Sequence, residues 1–250
     1  MPYQNPVESE RLDELVIGRR FRGPPNSANG GYTCGRLAEY IEGPATVRLM
    51  KPPPLDVHLD VVREGQEVQL RCGNEVIARA WPSGQELEAF AAPGLDSARQ
   101  RRAAFAGHDR HVFPGCFVCG VDREEGDGLL IHAGPQATPD DNKHHVACTW
   151  RPHPTLCGDD GILRERYVWS ALDCPSGWSF LSFGEEVALL GEFSAEILAP
   201  LHCGLEYIVA GWEIGREGRK RRTASALYTD EGQPVARALA IWITVPAPEQ

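Results

Sequence analysis

Apolar and polar positions alternate along two separate stretches of the chain. Residues 45–50 alternate in part, residues 57–62 (VHLDVV) alternate cleanly, and residues 68–72 and 76–81 flank the short turn Gly73-Asn74-Glu75. A period of two marks a half-buried strand, and a brief Gly/Asn turn joins such strands into an antiparallel meander. Upstream, the pattern predicts an extended segment at residues 19–23 and then the turn-rich run GPPNSANGG. Tyr32, Leu37, Tyr40 and Ile41 follow at roughly helical spacing, which predicts a helix from Gly31 to about Ile41, stopped by Gly43-Pro44.

A second round of the same order begins after residue 111. Residues 112–120, 129–133 and 144–150 read as strands. Residues 164–174 (RERYVWSALDC) read as a helix that ends at Pro175-Ser176-Gly177. Strands are then expected at 187–198, 206–213, 222–229 and 235–245, the last strongly apolar. Between the rounds, residues 89–111 lack strand character and hold at most a short helix at 96–106, capped by Asp96 or Ser97. This places a boundary there, with units at 1–105 and 106–250. A weak internal repeat supports the division. Pro54-Leu55 before VHLDVV matches Pro200-Leu201 before LEYIVAGW, and EVIARA after Gly73 matches PVARA after Gly232. A helix on a curved antiparallel sheet is covered on one side only, so two such units in one chain would complete each other as a pseudo-dimer.

Composition narrows the function classes. Of 250 residues, 42% are hydrophobic, enough for a packed core, and 26 Gly with 20 Pro favour turns and short elements over a helical bundle. A net charge of −10 makes the chain a poor partner for nucleic acid. The basic run at 216–222 reads as a solvated hairpin or as a local patch for a phosphate-bearing ligand. No run of apolar residues is long enough to span a membrane, and the acidic start of the chain has no apolar leader core, so a cytoplasmic location is expected. The eight cysteines are then expected to be mostly reduced. Cys116-x-x-Cys119-Gly has no second pair at a defined spacing. His108 and His111 lie upstream, and His144, His145, Cys148, His153 and Cys157 are loosely placed downstream. The spacing therefore favours a structural turn over a structural zinc site or a redox pair, whether Cys116 and Cys119 bind zinc stays open, and no cofactor is expected.

The strings FRGPPNSANGGYTCGRLAEY, PPPLDVHLDVV, HVFPGCFVCG and YVWSALDCPSGW, set in the repeated helix-plus-sheet order, resemble the hotdog-fold acyl-CoA thioesterase-like superfamily in its fused double-hotdog form, in a poorly characterised branch. The resemblance covers about residues 21–85 and 111–245. It implies an α+β fold of two hotdog units, each a central helix wrapped by a curved antiparallel sheet. It also implies acyl thioester substrates and a site at the seam between units. In the family, a His-Gly-Gly triplet opens the helix and a helical carboxylate supplies base or nucleophile. Here the triplet is Asn29-Gly30-Gly31, with Asn in place of His, and Asn26 matches a further polar position.

Those residue types suit the chemistry. Unpaired amides at a helix start stabilise an oxyanion, and glycine admits a carbonyl closely. Asn29, Gly30 and Gly31 read either as that hole or as an ordinary capped turn. Asp173, on a helix among Trp169, Leu172 and Cys174, is either a catalytic carboxylate or a C-terminal cap. Glu39, eight residues after Gly31, is either a second catalytic carboxylate or part of a solvated helix face. Tyr32, Tyr167, Trp169 and Asn26 are the candidate substrate-binding residues. The second helix lacks a Gly-Gly entry, so one functional seam is expected rather than two. The leading function is hydrolysis of an acyl thioester, linked to coenzyme A or a carrier, to free acid and thiol. The alternative is a non-catalytic acyl-CoA or lipid-binding hotdog protein. A dehydratase is disfavoured because no Asp-His pair lies near a helix start. Neither nucleic acid nor membrane is expected as a partner, and a homodimer beyond the internal pair stays open.

Overall fold

A computed structural model describes residues 9–87, 91–137 and 144–246; the expected unit boundaries at residues 1 and 250, and part of the 89–111 segment, lie outside these. The first round of elements is β1 (Ser9–Val16), α1 (Gly30–Ala38), β2 (Ala45–Leu49), β3 (His58–Glu64), β4 (Glu67–Cys72) and β5 (Glu75–Pro82). Two short helices follow, α2 (Leu95–Arg101) and α3 (Gly107–Arg110). The second round is β6 (Gly134–Gln136), β7 (His145–Trp150), α4 (Glu165–Leu181), β8 (Val187–Ile197), β9 (Tyr207–Glu217), β10 (Lys220–Tyr228) and β11 (Pro234–Val245).

The strands form one antiparallel sheet in the order β1-β3-β4-β5-β2-β8-β11-β10-β9-β7-β6. Read outward from the β2–β8 pair, the two sides mirror each other: β2, β5, β4, β3, β1 on one side and β8, β11, β10, β9, β7 on the other. The internal repeat thus appears as a pseudo-two-fold. Its seam is closed by Ala45–Arg48 against Glu192–Ala195, with a Thr46–Ser194 hydroxyl bond of 2.8 Å and an Arg48–Glu192 ion pair of 2.6 Å. The two central helices pack on each other, α1 over β2 and β5 and α4 over β9, β10 and β11. Gly31 and Gly35 make this contact possible. A Cβ at 31 would lie 2.4 Å from Asp173 Cβ, and one at 35 would lie 2.7 Å from Arg166 Cα.

Four expectations are corrected. The segment expected to be extended at 19–23 contains a 3₁₀ turn at Arg19–Phe21, and the strand lies earlier, at β1. Only Leu15 of β1 is buried, as suits a charged edge strand, so its sequence carries no apolar alternation. Residues 112–120 and 129–133 are turns and loops held together by Phe117 N–H to Arg22 O, Leu129 N–H to Phe117 O and Ile131 N–H to Val118 O. The helix cap at 95–101 falls on Gly94 and not on Asp96 or Ser97.

The fourth correction concerns α4, which runs through Pro175 to Leu181. Proline removes an N–H and crowds the preceding turn. Serine hydroxyls add hydrogen bonds to the neighbouring carbonyls: Ser225 donates to Leu172 O at 2.6 Å and Ser176 to Asp173 O at 2.7 Å. Residues 167–180 of the helix are buried throughout, so enclosure by the sheet outweighs the local helix-breaking signal.

Candidate active site

The N-terminus of α1 points at the middle of α4. Asn29 caps α1, its Oδ1 accepting from Tyr32 N–H at 2.8 Å. Its Nδ2 then donates to Asp173 Oδ2 at 2.8 Å, and Gly31 N–H donates to the same oxygen at 2.9 Å. Asp173 is 1% exposed, and its Oδ1 has no hydrogen-bond partner among the described residues. Burial raises its pKa to about 7, against the opposing pull of the Gly31 and Asn29 donors. The structure therefore joins Asn29 and Gly31, at the start of α1, to Asp173 of α4. Asp173 lies mid-helix, so it is not a C-terminal cap.

Gly31 departs from its expected part. Its amide is spent on Asp173, which leaves Gly30 as the first-turn glycine lining the neighbouring cavity. That cavity has a volume of about 530 Å³, within the range of small-molecule sites. Leu49, Pro52, Val112, Phe113, Trp178, Leu190, Trp242 and Ile243 give it an apolar wall, while Asn29, Asp173, Cys116, Cys119 and Cys174 stand at its polar part. Leu190 lies close over Gly30, so a Cβ there would sit 2.9 Å from its Cδ2.

Other candidates fall elsewhere. Glu39 ends α1 in ion pairs with Arg166 at 2.6 Å and Arg36 at 3.4 Å and does not line the cavity. Burial raises its pKa, partly offset by Arg166. Tyr32 and Tyr167 belong to a buried aromatic cluster with Phe21 and Phe117; Phe21 stacks on Tyr32 at 4.0 Å. Trp169 packs edge-on against Phe193 at 5.5 Å. Asn26 lies in a different, shallow cleft with Arg19, Arg22 and Asp122. These four residues shape the core and rim rather than the cavity wall. The basic hairpin turns at Gly218 between β9 and β10, and Arg221 is drawn into ion pairs with Glu186 and Glu213.

Trp178, Leu190 and Trp242 line the cavity; the sequence sets the two tryptophans in the core, at the seam or along an acyl tunnel without saying which. Local spacing does not say which side of a strand or helix meets a cavity. Nor does it place Cys174 beside Cys116. The Cys116 and Cys174 sulfurs lie 3.8 Å apart, and hydrogen bonds from Cys119 and Cys174, with the N–H groups of Cys119 and Val118, hold Cys116 well below the usual thiol range. Of the eight cysteines, Cys157 and Cys203 form a disulfide and the other six are free. Among the described residues, no helix is long and apolar enough to cross a membrane.

No family model matches the sequence, and no curated protein matches it. Solved structures do match its shape. A TesB protein of Mycobacterium avium subspecies paratuberculosis superposes with a TM-score of 0.60 at 12% identity over 96% of each chain. The acyl-CoA thioesterase II TesB2 of Mycobacterium marinum gives 0.59 at 13% identity over 97% of each chain. A hot dog fold protein of unknown function from Alicyclobacillus acidocaldarius gives 0.58 at 12% identity, over 94% of this chain and 93% of that one. With its mirrored sheet halves and paired central helices, this chain shares the fold of these solved structures, a hotdog fold built twice.

Proposed function

We propose that this protein hydrolyses acyl thioesters, with Asp173 as the base. The observation that carries the reading is a buried carboxylate anchored through one oxygen, its other oxygen unpartnered, on the wall of an apolar cavity. Asn29 and Gly31 fix the carboxylate, and an acyl chain lies along the Trp178–Trp242–Leu190 wall. Asp173 Oδ1 takes a proton from water as the water oxygen bonds to the thioester carbon. The Gly30 N–H, first in α1 and at the positive end of its dipole, donates to the developing oxyanion. The C–S bond then breaks, and the thiolate leaves and takes up the proton. Coenzyme A is the proposed thiol handle, in keeping with the acyl-CoA thioesterase named for the Mycobacterium marinum structure.

Free-thiol release across short, medium, long and aromatic acyl-CoA substrates tests this. Asp173→Asn is expected to reduce turnover by about 100-fold or more, as loss of a general base does, while the protein keeps its thermal midpoint within a few degrees. Unchanged turnover in this variant would remove Asp173 from the chemistry. No release from any substrate by the folded wild type would favour the acyl-binding reading.

A further inference from the structure

Three cysteine sulfurs meet beside Asp173, and two of them come from one tight turn. In the turn at Cys116–Gly120, Gly120 N–H donates to Cys116 O at 2.9 Å. A Cβ at Gly120 would lie 2.4 Å from the carbonyl oxygens of Cys116 and Pro114, so only glycine closes the turn this tightly. The closure sets Cys116 and Cys119 on one side, and α4 brings Cys174 to meet them, 58 residues along the chain from Cys116. All three are buried, and their sulfurs lie within 4.8 Å of one another. Cys116 and Cys174 are 3.8 Å apart, the separation of about 3.8 Å that two Zn–S bonds of 2.3 Å span at a tetrahedral angle.

The surroundings supply N–H donors to sulfur. Asn29 Nδ2 lies 3.9 Å from both Cys116 Sγ and Cys174 Sγ. His111 Nδ1 accepts from Phe113 N–H at 3.1 Å, which leaves Nε2 as the protonated nitrogen, 3.2 Å from Cys119 Sγ and 3.1 Å from Cys119 O. A thiol needs few such donors; a thiolate accepts several. Three thiolates and a divalent ion carry a net charge of −1, which these donors offset. Sulfur donors are soft and select zinc over magnesium or calcium.

We propose that Cys116, Cys119 and Cys174 bind one zinc ion as three thiolates, with the fourth position open to the cavity that all three residues line. Binding releases to solvent the protons that the thiols still carry. Asn29 and His111 are outer donors that orient the sulfurs. The ion ties the turn before β6 to α4 and, through Asn29, to the start of α1. The spacing of the cysteines hid the site, because the third ligand comes from a helix far along the chain. The inference stands apart from the hydrolase reading, since metal would bind whether or not a thioester is cleaved.

Elemental analysis of the intact protein, purified without chelator from zinc-supplemented medium, is expected to find about one zinc per chain. Cobalt exchanged into the site is expected to show sulfur-to-cobalt charge transfer in the near ultraviolet and the visible bands of a tetrahedral ion. Cys119→Ser and Cys174→Ser are each expected to lower zinc occupancy at least tenfold, whereas Cys72→Ser, outside the cluster, retains it. If the serine variants fail to fold, metal content and cobalt spectra of the unaltered protein still decide. Zinc-free protein after metal supplementation, a disulfide among the three cysteines, or copper in stoichiometric amount would each overturn the assignment.

Discussion

Gly31 donates its backbone N–H to Asp173 Oδ2 across 2.9 Å, so the start of α1 holds the buried carboxylate of α4. The same glycine sets the helix spacing, because any Cβ there would meet Asp173 Cβ at 2.4 Å and Trp169 O at 2.9 Å. Gly31→Ala is therefore expected to force the helices apart. A stability loss of about 1–3 kcal/mol is the range for overpacking of this kind. Urea unfolding would measure it. A wild-type midpoint would mean that the helix pair is far more pliant than its close contact implies.

Glu39 is the control for Asp173, the proposed base. It is tied to Arg166 and Arg36 at the far end of α1, away from the cavity. Glu39→Gln should cost at most about 1 kcal/mol, typical of a partly exposed ion pair, and leave turnover within about twofold. Steady-state kinetics beside Asp173→Asn would check this. A large fall in kcat for Glu39→Gln would return Glu39 to the site.

Leu190 closes the cavity over Gly30, so its size should limit the acyl group. Leu190→Trp is expected to reduce kcat/KM for long-chain acyl-CoA at least tenfold while short chains are spared. Parallel loss for every chain length would place Leu190 in general packing rather than in chain selection.

His132 should give the fold an acid limit. It stacks on Phe105 at 4.9 Å, and burial, with Arg102 and His108 nearby, lowers its pKa to about 4. The unfolded chain binds this proton near pH 6.5 and the folded chain does so only near pH 4, so stability falls as pH drops between these values. The contribution is about 3 kcal/mol. His132→Phe, which preserves the ring, should flatten the pH dependence of the unfolding free energy in that window. An unchanged slope would assign the acid sensitivity to other groups.

Local pattern carried much of the fold. Apolar pattern located β2 to β5 and β8 to β11 to within a few residues, through alternation in β3 and through apolar runs bounded by turn residues in β9 to β11. The same logic failed where burial is nearly absent or complete. β1 is an exposed edge and shows no alternation, and α4 is enclosed on all sides, so Pro175 read as a stop although the sheet around it sustains the helix.

Sequence alone determined that the chain builds two rounds of helix and antiparallel strands, and it drew attention to Asn29, Gly30, Gly31 and Asp173, because glycines at a helix start and a carboxylate in an apolar helix are local anomalies. Only the tertiary structure decided that Gly31 anchors Asp173, that Glu39 turns to Arg166, and that Cys174 joins Cys116 and Cys119. These contacts link residues far apart in the chain. They depend on how closely two helices pack and on the β2–β8 seam, which short-range spacing does not encode.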